Sequence, residues 1–111
     1  MPSRTTSEEL HIVRDLVLLY QCLETLTFRL ERSAAAERDQ VQRIIDKVTA
    51  DFAALKIKLK SHDIHVFLDK SIDKYAYIEY PFVCRGYDDR LFTLKDHYRG
   101  LIKEKIREYK A

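Results

Sequence analysis

The residues predict a mainly α fold: an antiparallel helical hairpin plus a C-terminal helix, forming a three-helix core. A short extended or β-hairpin excursion is expected between helices 2 and 3. Three observations carry this expectation. Two apolar seams repeat with the same 4-3-4-3-4 spacing, positions 3–80 hold neither Gly nor Pro, and an aromatic, β-branched stretch alternates with period two before a last amphipathic segment.

The first helix is expected over about residues 7–31. Thr6-Ser7-Glu8-Glu9 fits a capping box, in which the Thr6 hydroxyl accepts from the Glu9 amide while the Glu9 carboxylate reaches back to the cap. Its seam is Ile12, Leu16, Leu19, Leu23, Leu26 and Leu30. Leu10, Val13, Val17 and Tyr20 widen the N-terminal half, which should therefore be buried by more than one neighbour. The second helix, about 34–61, carries the seam Val41, Ile45, Val48, Phe52, Leu55 and Leu59. Between them, Glu31–Gln40 reads in two ways. Ser33 can cap a new helix after a turn, giving a hairpin. Alternatively the three alanines continue a single helix, a rod about 80 Å long at 1.5 Å per residue, which would have to dimerise to bury its seam. The loss of large apolar residues between Leu30 and Val41 puts the hairpin first.

An extended or β region is expected over about 64–84. Ile64, Val66 and Leu68 alternate, as do Tyr75, Tyr77 and Glu79 against Ala76, Ile78 and Tyr80, with 69–74 as their connection. Pro81 would sit at the end or edge of the second strand. Gly86 provides a flexible point before a helix over about 88–109, capped by Asp88 or Asp89 and lined by Leu91, Leu94, Tyr98, Leu101 and Tyr109. Gly100 in mid-helix costs about 1 kcal/mol against Ala, so close approach of another element is its expected purpose.

Length and composition predict one small helical domain over residues 1–111. A chain of this size buries roughly two-thirds of its unfolded surface. A hydrophobic fraction of 46% with 34% charged residues excludes disorder and linker character. The longest apolar run, Leu16–Tyr20, is far below the ~20 residues of a membrane span, and the N-terminal residues lack the apolar core of an export signal. The expected location is cytoplasmic, with Cys22 and Cys84 as reduced thiols. Net charge is +2 overall, split as +1 over 1–60, −2 over 61–83 and +3 over 84–111. That tail is weak support for a polyanion partner and fits a solvated helix face.

Three constellations could carry chemistry. Ser61-His62-Asp63-Ile64-His65 offers nitrogen and oxygen ligands, but a metal site would need His11 or His97 folded close by, and a polar helix end explains the same residues. The stretch Tyr75–Tyr87 holds five aromatic rings with Arg85 before the last of them, a composition found in protein-binding hot spots and in base-stacking surfaces. Tyrosines that merely cover a helical core explain it too. Cys84–Arg90 is a charged turn before a helix start, where arginines could hold an anion or Cys84 could act with a base such as His97. The glycine-cradled phosphate site, the nucleophile elbow and paired-Cys zinc spacing are absent, so no catalytic residue, cofactor or metal is assigned and the protein is expected not to be an enzyme.

The resulting expectation is a non-catalytic protein-interaction or regulatory protein. It would self-associate as a coiled-coil-like dimer through its heptad-spaced seams or bind another protein. The partner-binding candidates are Tyr75, Tyr77, Tyr80, Arg85, Tyr87, Arg90 and Arg99. The alternative is a nucleic-acid-associated accessory factor using Arg85, Arg90, Lys95, Arg99 and Lys103.

Overall fold

The computed structural model describes residues 5–111, so the reading of residues 1–4 lies outside the described residues. The fold is mainly α, with three helices and a small antiparallel sheet between the second and third. Helix α1 spans Ser7–Arg32 and starts at the capping box, with Glu9 N–H donating to Thr6 Oγ1 at 3.1 Å and Thr6 N–H to Glu9 Oε1 at 3.0 Å. Ser33 closes this helix rather than capping the next, because its hydroxyl donates to the Arg29 carbonyl at 2.7 Å. Ala34 fills the N-cap of α2 (Ala35–Ser61) with no side-chain bond, and both link residues are extended. Good helix formers do not prolong the helix here, because stopping lets each seam bury against the other. Ile12 and Leu16 cluster with Leu59, while Leu26 clusters with Val41, Ile44 and Val48.

The sheet contains β1 (Ile64–Val66), β2 (Ile72–Asp73), β3 (Tyr77–Cys84) and β4 (Tyr87–Leu94), with a 3-10 turn at Leu68–Lys70. Strand β3 is central. It pairs with β4 along its whole length, and β1 and β2 follow one another along its other edge, at Phe82–Cys84 and Ile78–Glu79. The residues 69–74, expected as a plain connection between the two strands, hold β2, which itself pairs with β3, while Ile64 of the first strand lies opposite Cys84.

Pro81 stands inside this central strand and not at an end. The hairpin closes on Cys84 and Tyr87, so position 81 turns its backbone groups away from β4. Its missing N–H therefore faces the gap between β1 and β2, where Phe67 N–H donates to the Pro81 carbonyl at 2.9 Å.

The helix expected from Asp88 or Asp89 starts later, as α3 (Lys95–Lys110). Arg85 (φ 49°) and Gly86 (φ 85°) form a two-residue turn with both central residues left-handed, and this turn returns the chain as β4. Leu91 and Leu94, which lie on the helical line in the sequence, point to opposite faces of a strand. The close approach expected at Gly100 is not found: a Cβ there would meet nothing within 4 Å.

Helix α1 is the spine shared by two cores. One holds its first half, Leu59 and the inner sheet residues Ile64, Val66, Tyr80, Phe82 and Leu91. The other holds Leu19, Cys22 and Leu26 with α2 and with Ile106 of α3. The N-terminal half of α1 is thus covered by both α2 and the sheet, which is why it carries the broader apolar stripe.

Candidate interaction surface

The β3–β4 turn is clasped to the start of α1. The Arg85 guanidinium donates to both Glu9 oxygens, Nη1 to Oε2 at 2.8 Å and Nη2 to Oε1 at 3.0 Å, and Nη1 also reaches the His62 carbonyl at 3.0 Å. His62 Nδ1 lies 2.8 Å from Glu9 Oε2. Asp63, in the left-handed region at φ 57°, accepts from Arg85 N–H at 2.8 Å. The Arg85 hydrogen bonds, then the Thr6 amide, hold the buried Glu9 carboxyl well below the usual carboxylate range against the opposing effect of burial, and the His62 contact adds to this. The side chains of Arg85 and His62 are both about two-fifths exposed, while Glu9 is buried.

A second anchor ties α1 to the inner face of the sheet. Gln21 Nε2 donates to Tyr80 Oη at 3.0 Å and lies 3.4 Å from Thr93 Oγ1, and the Thr93 hydroxyl donates to the Ile78 carbonyl at 3.0 Å. All three residues are buried. Together these anchors leave the opposite face of the hairpin turned away from the helices.

That outer face carries Tyr77, Glu79, Pro81 and Val83 of β3 beside Leu94, Phe92, Arg90 and Asp88 of β4, in that cross-strand order. Ile72 of β2 lies opposite Glu79. Phe92 is 55% exposed, Leu94 57% and Ile72 41%, and Tyr75 at the same end of the sheet is fully exposed. Tyr77 packs edge-on to Phe92 with ring centroids 5.5 Å apart. Glu79, though on this face, is buried and receives Arg90 Nη1 at 3.0 Å. The end of this face away from the hairpin turn is therefore apolar and aromatic, and its charged residues, the Arg90–Glu79 pair and Asp88, lie toward the turn.

The residues singled out from sequence do not form one site. Tyr77 and Arg90 lie on the outer face, and Tyr75 is exposed at the same end of the sheet. Arg85 lies in the hairpin turn and Tyr87 follows it, at the far end of β4 from Leu94. Arg99 is on α3, where it lies 3.7 Å from Asp96. Tyr80 is 1% exposed and turned toward Gln21, so it cannot present a surface. Sequence reading missed Ile72, Phe92 and Leu94. The alternation Leu91-Phe92-Thr93-Leu94 was the available signal, hidden by the helical spacing of its leucines.

The chemistry-bearing groups are dispersed. Cys84 and Cys22 are unlinked and buried, in separate cores; burial, opposed by Lys105, pushes the Cys22 thiol up to about 11. Cys84 and His97 lie beyond opposite ends of β4, an eight-residue strand roughly 25 Å long, so they form no dyad. His65 packs against Phe67, apart from His62. Among the described residues no group of three or more His, Cys, Asp or Glu is placed to hold a metal ion. Nor, among them, is any helix long and apolar enough to cross a membrane.

The geometry defines a small helix-and-sheet protein that turns an apolar sheet face outward. A family model described as YhjD protein matches residues 4–111, and the chain belongs to that family. No curated protein and no solved structure matches it.

Proposed function

We propose that this is a non-catalytic, cytoplasmic protein-interaction protein whose contact surface is the outer face of the sheet. The observation that supports it is the exposure of Ile72, Phe92 and Leu94 on one face of the sheet, with Tyr77 on that face and Tyr75 exposed at the same end. The sequence alone favours self-association through the heptad seams, but those seams are spent on each other inside the chain. That burial favours another surface for association. Regulation of a partner through this face fits the same geometry.

The nucleic-acid reading has less support. Arg85 is committed to Glu9, Arg90 to Glu79 and Lys95 to Asp73 at 2.5 Å, and these cations sit on the hairpin turn, the outer face and the start of α3. They do not line one groove. Sedimentation of the protein in cell extract, with and without nuclease, tests both readings. A nuclease-resistant complex heavier than the 13.2 kDa chain, lost on Tyr75→Ser/Phe92→Ser, is expected. A monomer in extract would refute the interaction reading, and a nuclease-sensitive complex would put nucleic acid in its place.

A further inference from the structure

We infer that the cleft between α1, the open end of the β3–β4 hairpin and α3 binds a small apolar zwitterion of dipeptide size, with its ammonium on Gln21 and Glu24 and its carboxylate on Arg99. The cleft lies against the inner side of the sheet, so this site goes beyond the outer-face reading and does not depend on it. Its volume is about 480 Å³, within the ~300–1,000 Å³ of small-molecule sites and too small for a folded partner. It forms where β4 gives way to α3 at Lys95, and Phe28, Ile78 and Ile102 supply its apolar walls.

The Gln21 amide fixes the acceptor side. Thr93 has one hydroxyl proton and gives it to the Ile78 carbonyl at 3.0 Å, so toward Gln21 it only accepts. The Gln21 atom that lies 3.4 Å from Thr93 and 3.0 Å from Tyr80 is therefore the nitrogen, and both amide hydrogens are used inward. This leaves Gln21 Oε1 with no hydrogen-bond partner among the described residues, although the residue is more than nine-tenths buried. The oxygen is not sealed off either, and Gln21 lines the cleft. A buried acceptor that opens into a cleft calls for a donor there.

Glu24 stands three residues further along the same helical face and lines the same cleft. Its carboxylate makes no hydrogen bond or ion pair among the described residues, and burial pushes its pKa up. Its charge also opposes ionisation of the Tyr80 hydroxyl, which places it near the Gln21 network. Two neighbouring acceptors, one of them anionic, match a group with positive charge and several hydrogens, and an ammonium has both.

The α3 side is cationic. Lys95 and Arg99 both line the cleft. Lys95 is held by Asp73 at 2.5 Å, whereas Arg99 has a 3.7 Å contact with Asp96 between two largely exposed side chains. A loose surface pair is worth little, so the Arg99 guanidinium is available to a carboxylate, whose geometry its planar fork matches. A ligand with only a cation would meet Arg99 uncompensated, and one with only an anion would meet Glu24. Packed helices lie about 8–10 Å apart, so the two charged ends must be well separated. An α-amino acid carries both charges on one carbon, while an extended dipeptide parts them by about 7 Å. Its apolar side chains then cover Phe28, Ile78 and Ile102.

Isothermal titration calorimetry with leucyl-leucine, N-acetyl-leucyl-leucine and leucyl-leucinamide tests the site. Leucyl-leucine should bind wild type, and each probe lacking one charge should bind at least about tenfold more weakly, as expected for one lost charged hydrogen bond. Glu24→Gln should abolish the preference over the N-acetyl probe and Arg99→Gln the preference over the amide. Both positions are exposed, and Glu37→Gln, at an exposed position on α2, should change neither preference. On wild type, the Gln21 side-chain amide resonance should shift when leucyl-leucine is added, which reports the location without any substitution. No binding of leucyl-leucine up to ~5 mM, equal binding of the three probes, an unmoved Gln21 amide, or preferences that survive Glu24→Gln and Arg99→Gln overturn the site. None of these results bears on the outer face, whose role is decided separately by sedimentation in extract.

Discussion

Removing the Tyr80 hydroxyl measures how firmly α1 holds the inner face of the sheet. In wild type it accepts from Gln21 Nε2 at 3.0 Å, in a site where Tyr80 is 1% and Gln21 7% exposed. Tyr80→Phe removes a hydrogen bond with a net value of about 1 kcal/mol. It also leaves the Gln21 amide with only the longer 3.4 Å contact to Thr93, and an under-satisfied buried donor adds roughly another 1 kcal/mol. The expected loss is therefore about 2 kcal/mol, or a fall in Tm of roughly 8–10 °C for a chain of this length. Urea denaturation of Tyr80→Phe, Gln21→Leu and the double variant provides the assay. Because the second substitution also removes the stranded donor, the double variant should cost at least about 1 kcal/mol less than the two single losses combined. A Tyr80→Phe loss below about 0.5 kcal/mol, or simple additivity, would refute the buried network as an anchor.

Three further outcomes follow from other parts of the molecule. The two glycines should respond with opposite sign: Gly86→Ala, at φ +85° with open space around its Cβ, should lose about 1 kcal/mol from backbone strain alone, whereas Gly100→Ala in α3 should gain 0.5 to about 1 kcal/mol; paired thermal melts check this, and a shared sign would be wrong for the turn. The folded Glu9 carboxyl titrates below its unfolded value of 4.5, so its contribution is complete above that pH and is lost as pH falls through the folded value. The stability gap between wild type and Glu9→Gln should accordingly narrow on going from about pH 6 to pH 3, and urea midpoints that keep a constant gap would contradict the clasp. Leu26→Ala, at a fully buried position between α1 and α2, should cost 3 to about 5 kcal/mol through the cavity it leaves; a loss under about 1.5 kcal/mol in denaturant would mean that the interface collapses to fill it.

Most of the helical framework was legible in local spacing. The Thr6–Glu9 box and both seams need only residues three and four apart, so their sequence pattern and their structure coincide. The sheet was legible in part. The alternation at Ile64–Val66 and Tyr77–Tyr80 showed extended chain, but register depends on the hairpin turn, and Arg85-Gly86 carries only one glycine to announce it. Residues 87–94 were hidden for a physical reason: Asp88 and Asp89 serve equally as helix caps and as edge charges, and leucines at 91 and 94 suit a helix face as well as the two sides of a strand. Arg85 was visible as a candidate, while its partner Glu9 is 76 positions away and could not be found by spacing.

By itself, then, the sequence determined two apolar seams of matching helical spacing, a third amphipathic segment, and an aromatic interlude with Pro81 and Gly86 inside it, because helical periodicity and capping are local. The tertiary structure alone decided that the seams satisfy each other, that Tyr80 is inside and Phe92 outside, and that β4 is left as an open edge. Those outcomes depend on which strand lies beside which. A one-residue change of register would exchange the buried and exposed faces, and only the packed sheet fixes it.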